Sequence, residues 1–158
     1  MTRVYGVFRA SLSVVFDAPL RFVYGWCTDF SEEDVEIAGW KSRRHILEKT
    51  KHRCVWISHY TLGQTQLEGV RIVTMNPPLS WHLDGLGDDL DEFGDYQLVP
   101  LGPRKTRLRM KFKVLFKDPR AVESKEHWLN GMRDDWAKFK AALEKEYSEG
   151  KKHNKPKV

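Results

Sequence analysis

Five histidines punctuate the body of this chain, His45, His52, His59, His82 and His127, and none has the spacing of familiar metal or nucleophile chemistry. A helical zinc pair needs two imidazoles four residues apart, and no such pair occurs. The GxSxG, P-loop, HExxH and dinucleotide-binding glycine motifs are absent as well. His59 and His82 fall in strand-like sequence. A strand imidazole turned into a cavity and tuned by burial would act as a general base, so these two are the catalytic candidates, with surface or edge positions as the plainer reading. Asp88, Asp89, Asp91, Glu92 and Asp95 crowd five carboxylates into one stretch. Their order lacks the EF-hand pattern and its distal glutamate, so they are read as a charged hairpin tip; neither a metal nor a cofactor is expected. Cys27 and Cys54 have no CxxC partner and are read as reduced thiols.

The aromatic residues are more suggestive. Trp56 and Tyr60 share strand parity with Cys54 and Ser58, although Val55 and Ile57 make the opposite face apolar too. Trp81, Tyr96, Met110, Phe112, Trp128, Met132 and Trp136 are placed to join them from neighbouring elements. Large rings beside flexible methionine suit an adaptable pocket for a hydrophobic small molecule or lipid, with phenol and indole groups orienting a polar end. The same residues also suit a filled core.

The elements that must position them are legible from periodicity. Residues 106–114 read T-R-L-R-M-K-F-K-V. This alternation puts Leu108, Met110, Phe112 and Val114 on one face and a ladder of Arg107, Arg109, Lys111 and Lys113 on the other. Glu48, Glu68 or Asp95 on neighbouring strands would neutralise the ladder; otherwise it is a docking surface for an acidic protein partner. Residues 7–16 alternate likewise. Asp17 is then expected to cap a short helix through Trp26, and Ser31 to Asp34 have capping-box spacing for another before Gly39. Strands are expected at 43–49, 53–61, 67–75, 80–84, 93–101 and 105–116, separated by turn-rich segments that include residues 85–91. Asp118-Pro119 reads as the start of a long helix ending near Gly150, with Trp128, Leu129, Met132, Trp136, Phe139 and Leu143 on one stripe. The class is α+β, with an antiparallel meander.

A chain of 158 residues accommodates one domain, expected over 1–150. Much of the net charge of +5 comes from Lys151, Lys152, Lys155 and Lys157, and residues 151–158 are expected to form a basic disordered tail. A few lysines without interleaved aromatics do not make a nucleic-acid site. With no long apolar run and no signal-peptide core, a cytoplasmic protein without an integral membrane segment is expected.

Several local motifs recur in one order: Asp17-Ala18-Pro19 before Phe22, Val23 and Tyr24; Thr28-Asp29-Phe30 and Trp40; Asn76-Pro77-Pro78; Tyr96-Gln97-Leu98-Val99-Pro100 with Gly102; and Thr106-Arg107-Leu108. In that order they resemble the START-like, or SRPBCC, superfamily of Bet v 1-like proteins, polyketide cyclases and lipid-transfer domains. The resemblance implies a helix-grip fold, in which a seven-stranded curved antiparallel sheet grips a long C-terminal helix, with two short helices after the first strand. It also implies an apolar cavity between sheet and C-terminal helix, and hence binding, for transport, sequestration or sensing, of a hydrophobic or amphipathic small molecule. A cyclase or aromatase, or a co-chaperone-like interaction module, are the alternatives. Val23-Tyr24 departs from the more usual Val-Trp, with Trp26 two residues later, so the first helix is expected to be rotated or re-registered.

Overall fold

The computed structural model describes residues 3–150, so the expected tail lies outside the described residues. Strand β1 (Gly6–Phe16) is followed by helices α1 (Leu20–Cys27) and α2 (Glu32–Ala38). Six strands come next: β2 (Arg43–Lys49), β3 (Arg53–Leu62), β4 (Thr65–Asn76), β5 (Ser80–Gly87), β6 (Leu90–Gly102) and β7 (Lys105–Phe116). Helix α3 (Lys125–Ser148) ends the described chain. The sheet order is β1-β7-β6-β5-β4-β3-β2, with every neighbouring pair antiparallel. Short turns make β2 to β7 a meander, whereas the two helices after β1 carry the chain across to the opposite edge.

Period-two patterning decides which side chains face inward. Ala10 and Phe16 of β1 and Leu108, Met110, Phe112 and Val114 of β7 are buried, and they pack toward Trp128, Trp136, Phe139 and Leu143 of α3. At roughly 25 cal/mol for each Å² of apolar surface removed from water, this shared face is the main term holding helix to sheet. Thr106, fully buried, donates from its hydroxyl to the Ala18 carbonyl at 2.9 Å, which ties the start of β7 to the segment entering α1.

Three boundaries differ from the sequence reading. Helix α3 starts at Lys125, not after Asp118-Pro119; Ser124 caps it, its hydroxyl accepting the His127 N–H at 3.0 Å. Asp118 instead accepts the Arg120 N–H at 2.8 Å, a local side-chain turn that competes with helix. Pro19, not Asp17, occupies the N-cap of α1. Ser31 does cap α2 by position, but the box is not closed, because the Asp34 carboxylate turns to Arg44 at 3.0 Å.

The third difference concerns residues 85–91, expected as a turn. Gly85 pairs with Glu92 and Leu86 with Asp91, so β5 and β6 run on through most of it. The expected neutralisers of the β7 ladder are also engaged elsewhere. Glu48 pairs with Arg53 at 3.4 Å, Glu68 with His59 at 3.4 Å, and Asp95 with His82 at 2.7 Å.

Candidate functional site

Four glycines stand on the inner face where larger residues would fill the sheet. Gly69 of β4 pairs with Gly87 of β5, Gly85 of β5 pairs with Arg71 of β4, and Gly94 of β6 pairs with Phe112 of β7. The side chains of neighbours occupy the vacated space. A Cβ on Gly85 would stand 3.0 Å from Arg71 Cδ and Nε, and one on Gly69 would lie 2.9 Å from Arg71 Nη1. A Cβ on Gly87 would lie 2.7 Å from the Tyr60 hydroxyl. The distances at Gly69 and Gly87 are shorter than real Cβ contacts and those at Gly85 are tighter than most, so the missing side chains ease the course of Arg71 and Tyr60 along the sheet.

Above them is a cavity of about 350 Å³ between the inner sheet face, α3 and the α1–α2 segment. This is the lower end of the range usual for small-molecule sites. Six of the nine residues expected to bind ligand line it: Trp56, Tyr60, Trp81, Tyr96, Met132 and Trp136. Trp81 and Tyr96 are stacked, with centroids 5.1 Å apart and planes at 11°, and Trp136 lies 6.4 Å from Tyr96. Met110, Phe112 and Trp128 are not in the lining. They are buried in the packed core, where Phe112 meets Trp128 edge-on at 5.0 Å. His59 and His82 lie on the opposite parity, at the outer face, and do not reach the cavity. His82 there bridges Asp84 at 2.8 Å and Asp95 at 2.7 Å. Helix α1 sets Tyr24 edge-on to Trp81 at 5.9 Å and sends Trp26 to the cavity wall.

No protein-family model and no curated protein matches this sequence. Solved structures do match it in shape. The Zhui aromatase/cyclase from a Streptomyces strain superposes with a TM-score of 0.70 at 11% identity, over 90% of this chain and 96% of that one. A START superfamily protein from Mycobacterium smegmatis gives 0.63 at 17% identity, covering 87% and 97%. The allergen structure Ara h 8.0201 gives 0.65 at 9% identity, covering 87% and 98%. The chain has the START-like helix-grip fold. Identities this low establish the fold alone, so what the helix-grip cavity does here must be read from its own residues.

Charged groups in this helix-grip cavity divide into those the protein satisfies and those it leaves open. Asp34 is paired with Arg44, whose guanidinium also lies 4.8 Å from the Trp56 ring centroid. Asp89 accepts the Tyr60 hydroxyl at 2.5 Å and the Leu90 N–H at 2.9 Å. Asp135 accepts the indole N–H of Trp40 at 3.1 Å; Trp40 is the one exposed lining residue and marks the rim. Arg71 and Glu92 remain. Their strands place them in one row, on either side of Gly85, yet they form no salt bridge with each other. Among the described residues, the side chain of Arg71 makes one hydrogen bond, a long contact of 3.4 Å to the Val70 carbonyl. Burial pushes the Glu92 carboxyl above its ordinary value; Arg71 opposes the shift and the charge of Asp135 adds to it. Burial likewise raises Asp135 and, with the help of Glu92, holds the Tyr96 phenol well above its usual range.

Arg71, Glu92, Asp135 and Asp34 were not singled out from the sequence as ligand contacts. A signal for the first two was present: Arg71 shares parity with Leu67, Val73 and Met75, and Glu92 with Tyr96 and Leu98, all buried. A charged residue on the apolar parity of a strand is the informative exception.

Proposed function

We propose that this protein binds an amphipathic small molecule with a flat apolar body and a polar, hydrogen-bonding end. The carrying observation is the pairing of unlike walls: Trp56, Trp81, Tyr96 and Trp136 around the space, Arg71 and Glu92 at its floor. Aromatic faces favour a flat guest, whose burial drives binding. Arg71 offers donors and Glu92 an acceptor or, when protonated, a donor. A hydroxyl beside a carbonyl would satisfy both and relieve the cost of leaving buried polar groups unmatched.

The test uses N-phenyl-1-naphthylamine, a neutral probe that fluoresces in apolar surroundings. Saturable binding with one site per chain, competed by 2-naphthol and lost when Trp136→Arg fills the space, supports the reading. Absence of saturable binding to a folded protein contradicts it.

One observation favours a second reading of the cyclase or aromatase type. A carboxyl raised by burial above its ordinary value, across one residue from an arginine, places a proton acceptor next to a group that can stabilise a developing oxyanion. Exchange of the methyl protons of 2-acetylnaphthalene into heavy water, lost in Glu92→Gln, would support catalysis. The open cavity of about 350 Å³ supports a ligand-binding reading over a pure interaction module, for which a collapsed cavity is expected.

A further inference from the structure

The outer face of β1 and β7 carries five cations that no carboxylate of the described residues pairs with: Arg9, Arg107, Arg109, Lys111 and Lys113. Their neighbours are fixed by the register. On β1 they face Ser11, Ser13 and Val15, and Arg9 stands directly opposite Lys113. On β6 they face Phe93, Asp95, Gln97 and Val99. Asp95 is the single acid in that set, opposite Lys111, and it is held by His82. Like charges directly across a strand pair work against the sheet, so this arrangement is costly in the free protein. Arg9, Ser11, Ser13, Arg109, Lys111 and Gln97 are exposed.

We infer that this face docks an extended acidic segment of a partner protein. The four β7 cations recur at every second residue, about 6.8 Å apart, the spacing at which an extended peptide presents side chains on one face. A segment with a carboxylate at alternate positions matches that column, with Ser11, Ser13 and Gln97 beside it for hydrogen bonding. The chemistry suits other polyanions less well. Phe93 is the only aromatic among these neighbours, and it is half-buried, so there is no stacking platform for single-stranded nucleic acid. The middle of the patch is polar and has no protruding apolar wedge for a bilayer. Docking here leaves the cavity on the other face of the sheet free, so the two activities are separable.

Fluorescence anisotropy of a labelled alternating Glu-Ser peptide tests the inference. The peptide is expected to bind the full chain, more weakly as salt rises. Arg109→Glu with Lys111→Glu should cost at least about tenfold in affinity. Lys41→Glu with Arg43→Glu, the same change of charge at the start of β2, should leave affinity unchanged. Arg109→Gln with Lys111→Gln provides a milder pair should the reversal fail to fold, and retained naphthylamine binding reports an intact cavity. The inference is overturned if the peptide does not bind, if both reversals weaken it equally, or if oligo-dT or phosphatidylserine vesicles are preferred at the same ionic strength.

Discussion

Arg71 lies flat across the backbone of Gly85, its Cζ 3.1 Å from where a Cβ on that residue would stand. The absence of one side chain thus sets the direction of a guanidinium. Gly85→Ala should displace Arg71 from the cavity floor and reduce affinity for 2-naphthol more than for the less polar naphthylamine probe. Overpacking of this kind costs about 1–3 kcal/mol, so the fold should survive with a lowered melting temperature. Parallel titrations and a thermal melt check both parts.

Two methionines separate stability from binding. Met110 is 1% exposed in the packed core, and Met110→Ala should cost about 2–5 kcal/mol while the intact fraction binds the probe normally. Met132 lines the cavity and is only partly buried, so Met132→Ala should cost less stability and change probe affinity instead. Urea unfolding beside probe titration would show the crossover. Equal behaviour of the two variants would contradict the placement of the cavity.

Glu92 should leave a signature in the pH dependence of stability. Its folded value is raised from an ordinary 4.5, so between the unfolded and folded values the native state holds the proton more tightly. Stability therefore falls as pH rises through that window. Glu92→Gln should flatten the decline and be the more stable form at neutral pH. Asp135, raised in the same direction, leaves a residual slope. Urea unfolding at a series of pH values rising from the ordinary carboxylate range measures this.

His82 should shape the pH dependence of stability in the same sense as Glu92, although it lies on the outer face and away from the cavity. Burial disfavours its charge, but the hydrogen bonds its ring N–H groups donate to Asp95 and Asp84 outweigh that and raise it above 6.5. Its contribution is present below the unfolded value and is lost as pH rises through the folded one. His82→Gln should remove that part of the pH dependence and leave probe binding and any proton exchange untouched.

The strands and their faces were legible because an alternating pattern such as residues 106–114 fixes both parity and length. The last helix was legible as a stripe, yet its start was not. Asp118-Pro119 has the composition of a cap, and only the fold reveals that Arg120 takes the carboxylate. Glycine and aspartate around residues 85–91 signal a turn by local propensity. Three-dimensional context reverses that, since Gly85 and Gly87 sit in a strand beneath the Arg71 and Tyr60 side chains. Six of the nine aromatic and methionine residues named from the sequence line the cavity, four through strand parity and Met132 and Trp136 through the helical stripe of α3. Which of them face open space and which face one another depends on where α3 lies over the sheet, and strand parity does not encode that.

Native mass spectrometry of the protein after incubation in a lipid-rich cell extract, beside Met132→Glu, tests the central claim most directly. The account predicts one amphipathic guest per wild-type chain, released on denaturation and depleted in the variant. A wild-type protein that stays folded and empty in the extract, and ignores aromatic and lipid libraries, would contradict it.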